Sequence, residues 1–323
     1  MFNTNFKSVL DIINTFNTEE KCLKYLEQLR WENGVVSPFD TTSKVYECKG
    51  GKYRCKNTGK YFNVKTDTMF DNTKINLQKW FLAIYLITSH KKGISSIQLG
   101  KDLSITQKSA WFMLQRIRAC FGIENNLDDK FEGICEADET FVGGKNKNRH
   151  KDKKVAMSQG RSFKDKTPVL GVLQRGKSEI VDGKKVVHSQ SKVKCIVASN
   201  TKRESIQPFI KTVVEKDSVL ISDEWWGYRG LENTYDHHVV DHGRKQYVDF
   251  DNPEIHSNSM EGFWSTFKRS YNGTYNWWSR KHMQKYVDEL VYRFNLRGMK
   301  ESERFNYLIL NSGVRTKYKN LIA

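Results

Sequence analysis

Two aspartates stand where a divalent cation could use them. Asp138 ends the half-apolar run Ile134-Cys135-Glu136-Ala137, and Asp223 ends the apolar run Val219-Leu220-Ile221. Such runs read as strands, and the strand ends of α/β sheets are where ligand sites form. Magnesium takes oxygen ligands octahedrally from one or two carboxylates plus substrate phosphate, and a strand end holds those ligands rigidly. A third carboxylate, Glu261, lies in HSNSMEGFWSTFKRS, which reads as a helix from about Asn258 because Phe263 and Phe267 form an i, i+4 apolar pair. Lys268 follows Glu261 by seven residues, two helical turns, so the two point the same way with Trp264 or Ser265 between them. A metal-binding acid and a phosphate-binding base on one helix face suit an enzyme acting on nucleic acid. Each residue alone has an ordinary alternative, since strand-end aspartates often cap turns and Glu–Lys pairs line solvated helices.

Holding these groups together requires a sheet flanked by helices. Beyond Leu127, FEGICEADETFVGG and residues 169–174 and 193–198 read as strands, residues 204–214 as a helix, and SVLISD and HHVVD as further strands. The expectation is a mixed α/β domain with its own core. Upstream, residues 75–89, 95–103 and 106–119 read as three helices separated by breaks at Lys92-Gly93 and Ser104-Ile105, the layout of a helix-turn-helix unit. Gln107, Lys108 and Arg116 on the third helix are the candidate DNA contacts there, and three helices packed for stability alone are the rival reading. Residues 18–31 form an amphipathic helix capped by Thr18, with Cys22, Tyr25, Leu26 and Leu29 at helical spacing. YECKGGKYRCKNTGKYFNV then supplies short strands with turns at Gly50-Gly51 and Gly59.

The charge balance names a class of partner. Among 323 residues, 54 are Lys or Arg and 37 Asp or Glu, a net charge of +17 that attracts polyanions. Residues 145–166 carry nine basic and two acidic side chains, making Lys145, Lys147, Arg149, Lys153 and Lys154 candidate contacts to a DNA backbone, with a solubilising loop as the alternative. Arg269, beside Lys268, joins that set. No apolar run approaches the ~20 residues needed to span a bilayer, and the start MFNTNFKSVL lacks a leader pattern, so no membrane role and a cytoplasmic location are expected. The six cysteines are scattered without any C-x-x-C pair, which writes neither a disulfide framework nor an ordinary zinc ribbon.

The strings ADETFVGGK, SDEWWGYRGL and HSNSMEGFWSTFKRSYNGTYNWWSRKHMQKYVDELVYRFNLR resemble the signature blocks of bacterial insertion-sequence DDE transposases, of the ISXO-like group related to Merlin elements. KWFLAIYLITSHKKGISSIQLGKDLSITQKSAWFMLQRIR is similar to the helix-turn-helix region of that group. The resemblance spans roughly residues 18–297. It implies an α/β, RNase-H-like catalytic domain with C-terminal helices at 128–323, preceded by an N-terminal helix with a degenerate zinc-ribbon-like β-module at 1–70 and a helix-turn-helix domain at 71–125. It also implies two Mg2+ or Mn2+ ions, cleavage of element ends and strand transfer into target DNA. The implied partners are double-stranded DNA, as terminal repeats and target, and further copies of the chain in a homodimer or higher assembly; the implied location is nucleoid-associated.

Asp138 and Asp223 match the first two acidic positions of the group, and Lys268 matches the basic residue that the group adds. The third position falls on Asn258 or Glu261. Glu261 is preferred, because 38 residues after the second Asp is a usual interval in such enzymes and a carboxylate holds a hard cation better than an amide does. One departure stands out: the ribbon's ligand positions look like Ser37, Asp40, Cys55 and Thr58, leaving one thiolate where structural zinc wants four N or S ligands. Zinc is therefore not expected, and the module would fold on Tyr46, Tyr53, Tyr61 and Phe62. The degraded ribbon favours a rival class, a catalytically silent DNA-binding derivative. A second rival is an RNase-H-like nuclease without strand transfer, since water and a DNA 3′-hydroxyl use the same metal chemistry.

Overall fold

The computed structural model describes residues 6–143, 150–156, 166–182, 184–240 and 254–322. Its elements, in chain order, begin with α1 (Val9–Thr15), α2 (Glu19–Arg30), β1 (Val45–Cys48), β2 (Lys52–Cys55), β3 (Tyr61–Phe62), α3 (Leu77–Ser89), α4 (Ser96–Asp102) and α5 (Gln107–Phe121). There follow β4 (Ile134–Val142), β5 (Thr167–Gln174), β6 (Ser178–Val181), β7 (Lys184–Val187), β8 (Lys192–Val197), α6 (Arg203–Val213), β9 (Val219–Asp223) and β10 (Asp236–Val240). The last are α7 (Asn258–Ser270), α8 (Met283–Asn295), α9 (Glu301–Leu310) and α10 (Tyr318–Ile322). They divide into two compact units, Met1–Ile123 with Met299–Ala323, and Glu124–Gly298.

In the first unit, side-chain caps start the helices: Thr18 accepts the Lys21 N–H, Ser95 that of Gln98 and Thr106 that of Ser109. The three helices expected between residues 75 and 119 form, with both breaks in place. β1, β2 and β3 make an antiparallel meander whose first turn uses Gly50 and Gly51 at positive φ. An aromatic cluster of Phe6, Phe16, Phe81 and Phe305 fills the core, with Phe81 and Phe305 centroids 5.5 Å apart. Phe305 lies on α9, so the expectation that residues 299–323 belong with the catalytic domain is corrected. Tyr25 Oη donates to Asn306 Oδ1 at 2.5 Å and the Met69 N–H to the Ser312 carbonyl at 2.8 Å, fixing this returning segment in the first unit. The β-module and the three helices, expected as separate domains, share the same unit.

The second unit is a mixed α/β layer structure. Its five-stranded sheet has the order β10-β9-β4-β5-β8. β4, β5 and β8 are antiparallel neighbours, while β9 runs parallel to β4 and β10 parallel to β9. Alternation divides the sheet's two faces. Cys135, Ala137, Leu170 and Val172 pack with Ile206, Phe209, Ile210 and Val213 of α6. On the other face Val169, Leu173, Val193 and Cys195 pack with Met260, Phe263, Trp264 and Phe267 of α7 and with Val287, Leu290 and Val291 of α8. α7 lies very close over the sheet at Gly171, the partner of Asp138 in the β4–β5 ladder. A Cβ on Gly171 would sit 2.1 Å from Met260 Cε and 2.8 Å from Trp264 Cζ2.

The hairpin β6–β7 was not anticipated, because its apolar residues Ile180, Val181, Val186 and Val187 are exposed and show no core face. Among the described residues no helix is long and apolar enough to cross a membrane.

Candidate active site

Three separate elements of the second unit deliver the acids singled out above. Asp138 sits in mid-β4, Asp223 ends β9 and Glu261 lies in the first turn of α7. Asp138 is half-buried and its Oδ1 accepts the Glu139 N–H at 2.7 Å. Burial pushes the Asp138 carboxyl up to about 7; the Glu139 N–H pulls against this, the charges of Asp223 and Glu261 add to the rise, and Lys268 lowers it. The charges of Asp223, Glu261 and Lys268 thus all act at Asp138.

Asp223 is almost fully buried and accepts the Trp225 N–H at 3.1 Å. Glu261, Ser265 and Lys268 occupy the exposed face of α7, whereas Trp264, the alternative to Ser265 on that face, points into the core. Asn258, also exposed, begins the helix, and the charge that acts on Asp138 is that of Glu261.

Among the described residues no three His, Cys, Asp or Glu side chains converge closely enough to cage a metal ion by themselves. Carboxylates are the donor type that a hard divalent cation takes, and the charges of Asp223 and Glu261 act on Asp138.

Sequence reasoning missed two neighbours. Tyr228 Oη donates to Glu139 Oε2 at 2.9 Å, and burial followed by the charges of Glu139, Asp138 and Asp223 holds the phenol in its neutral form. Glu136, fully buried two residues before Asp138, was the other; its place on the same strand face was the available signal.

The expected DNA contacts separate into three groups. Gln107 and Lys108 are exposed at the start of α5; the Gln107 amide donates to Ser96 Oγ at 2.9 Å, and the Lys108 ammonium lies 5.3 Å from the Tyr318 ring centroid. Lys153 and Lys154, in and after the short turn Lys151–Lys153, are exposed, as is Arg269, which donates to Ser265 and Thr266 on its own helix. Lys145, Lys147 and Arg149 lie outside the described residues. Arg116 is a correction: expected as an exposed DNA contact, it is 4% exposed, donates to the Asp71 carbonyl at 2.6 Å and lies against Trp80 and Phe112, the surroundings of a packing residue.

In the β-module the Cys55 thiol is buried against hydroxyls instead of thiolates. Burial raises its pKa, but hydrogen bonds from Ser37, Ser43 and Thr58 and from the Thr58 backbone outweigh this and bring it to about 6. Ser43 stands where Asp40 was expected, and Asp40 instead accepts from Thr42 and from the Asn57 amide at 2.8 Å. A donor set of one sulfur and three hydroxyls competes poorly for zinc. Metal analysis of the purified chain is expected to find no stoichiometric zinc, and one tightly held zinc per chain would overturn this.

Comparisons with known proteins agree in kind. The family described as "Transposase zinc-ribbon domain" matches residues 17–60, over the module that lacks the thiolates. A protein of Halobacterium salinarum, "Uncharacterized protein in transposable element ISH50", is 28% identical over 275 residues, covering 80% of this chain and 84% of its own. Two solved structures, "Crystal structure of the Mos1 Strand Transfer Complex" and "Crystal structure of a pre-cleavage Mos1 transpososome", are 14% and 12% identical with TM-scores of 0.25 and 0.26. They cover 70% and 96% of this chain and 75% and 98% of their own, a likeness too slight to weigh. The family described as "ISXO2-like transposase domain" matches residues 130–295, more than half of the chain and all of the acids above, and the chain belongs to that family of insertion-sequence transposases.

Proposed function

We propose that this transposase cleaves the ends of its element and joins them to target DNA by divalent-metal chemistry, with Asp138, Asp223 and Glu261 as the carboxylates and Lys268 as the phosphate-binding base. The observation that carries the reading is where the four residues stand: Asp138 on β4, Asp223 at the end of the neighbouring β9, and Glu261 and Lys268 on α7, which packs on the Asp138 face of the sheet, so that their charges act on Asp138. The strand order supports an RNase-H-like fold, with a three-stranded antiparallel edge continued by two parallel strands.

Mg2+ or Mn2+, held by the three carboxylates, would activate the attacking oxygen and stabilise the leaving one. The chain's own residues place the ligands: two on rigid strands, one on a helix packed to the sheet. Glu139 follows Asp138 on β4 and so takes the opposite face of the strand, where the Tyr228 hydroxyl donates to it. Lys268 offers its ammonium to a phosphate oxygen beside the scissile bond. The helices α3 to α5 act as a helix-turn-helix that binds element ends through Gln107 and Lys108, and the protein works on DNA as a dimer or larger assembly in the cytoplasm.

The test is strand transfer by the full chain, using pre-cleaved element ends, target DNA and Mg2+. Joined products are expected; hydrolysis without joining would favour the nuclease reading, and duplex binding without either the silent derivative. Lys268→Ala at saturating DNA is expected to lower cleavage and joining about a hundredfold, the size of a charge facing phosphate in a partly dry site. A loss below about threefold would mark a solvated surface lysine.

A further inference from the structure

Beneath the acids lies a buried charge network to which the reaction as proposed gives no task. Glu136 is fully buried on β4, on the same strand face as Asp138. Neither carboxylate oxygen faces outward for a metal: Oε1 accepts Arg175 Nε at 2.5 Å and Oε2 accepts the Met260 N–H at 2.8 Å. Arg175, just beyond β5, spreads its other nitrogens over the entry to α7. Nη1 donates to the Glu254 carbonyl at 2.5 Å, and Nη2 donates to the His256 carbonyl at 2.5 Å and to His256 Nδ1 at 2.9 Å. Burial and then the neighbouring Arg175 charge lower the His256 pKa, which keeps the imidazole neutral and Nδ1 an acceptor. The Ser257 side chain makes no cap hydrogen bond, so a carboxylate from the sheet supplies a cap that the helix's own N-cap residue does not.

We propose that Glu136, Arg175 and His256 form a clamp that fixes the first turn of α7 against β4 and so sets the direction in which Glu261 points. Met260, the clamped residue, directly precedes Glu261, and a slip of one residue would turn the helix by about 100°. That rotation would carry Glu261 away from Asp138 and Asp223. These three are positioning residues; none touches the DNA or the cation. Arg175 does its work by shape as well as charge, since only a guanidinium reaches a carboxylate, two carbonyls and an imidazole at once. The inference rests on the reading of Glu261 as a catalytic carboxylate.

The experiment uses the full chain with Glu136→Gln, Arg175→Lys and the paired change Glu136→Gln/Arg175→Gln, which leaves no lone buried charge to unfold the unit. Hydrogen exchange is followed at residues 257–263 and, for comparison, in β9, because local opening reports local fastening. Residues 257–263 are expected to exchange about tenfold faster in all three variants while β9 stays within about twofold. Mn2+ titration followed by paramagnetic resonance is expected to show affinity weakened about fivefold or more. End cleavage is expected to lose about tenfold or more in kcat with KM for DNA unchanged, the mark of an interaction felt in the transition state alone. Asp138→Asn is the contrast: it should weaken Mn2+ binding without changing exchange at 257–263. Unchanged exchange there in Arg175→Lys and in the paired variant would overturn the clamp, as would equal loosening of β9. If the wild-type chain cleaves no DNA, the proposed function falls, while exchange and Mn2+ binding still decide the clamp.

Discussion

Asp138→Asn and Asp223→Asn are each expected to lower end cleavage by about a thousandfold or more, a loss of several kcal/mol of transition-state stabilisation. Duplex binding should remain within about twofold, since affinity for DNA comes mainly from basic groups that meet phosphates. The Asp138 substitution also separates catalysis from folding. A buried negative charge beside two others is unfavourable to the folded state, and the amide keeps the shape without the charge. The Asp138→Asn chain should therefore melt no lower than wild type while failing to cleave. Gel assays on labelled element ends and a thermal melt check the two halves together. Cleavage within about tenfold of wild type would remove Asp138 from the site.

Gly171→Val should do the opposite and damage the fold. Two groups of α7 occupy the space a side chain would need, Met260 Cε at 2.1 Å and the Trp264 ring at 2.8 Å from an added Cβ. The methionine end can swing aside; the indole is held in a core with Phe263 and Phe267 at centroid distances of 5.1 and 5.3 Å. Overpacking of this kind costs about 3 kcal/mol, which for a unit of this size is a fall in melting temperature of about 6–12 °C. Gly171→Ala should show the same effect at smaller size. A valine variant that melts within about 2 °C of wild type would mean that α7 shifts freely over the sheet.

The elements that carry the acids were legible: Asp138 and Asp223 end or interrupt apolar runs that read as strands, and Phe263 and Phe267 at i, i+4 mark the helix that carries Glu261. Glu136 shares the strand face of Asp138, which the alternation of β4 would have shown, but its burial was hidden, because the partners that bury it, Arg175 and Met260, lie 39 and 124 residues away. Arg116 failed in the opposite direction. A basic residue on a helix of a basic protein reads as exposed, yet Trp80 and Phe112 flank its guanidinium and Asp71 accepts from it. Its apolar stem and planar head let it pack like a large side chain. The helix boundaries near residues 77, 96 and 107 were readable because Asn76, Ser95 and Thr106 are capping residues directly before an apolar stripe. The membership of residues 299–322 was hidden, because it depends on Phe305 meeting Phe6 and Phe81 across the length of the chain.

That return has a consequence for biosynthesis. The first unit opens the chain and is closed only by α9, so residues 124–298 are an insertion within it. As the polypeptide leaves the ribosome, the sheet carrying Asp138 and Asp223 can complete its core while the earlier helices still wait for Phe305. Domains ordinarily mature in the order of their synthesis, but here the earlier unit draws part of its core, Phe305, from a helix made after the sheet. A premature stop codon near residue 300 would accordingly leave the acids intact and spoil the unit whose coding sequence comes first.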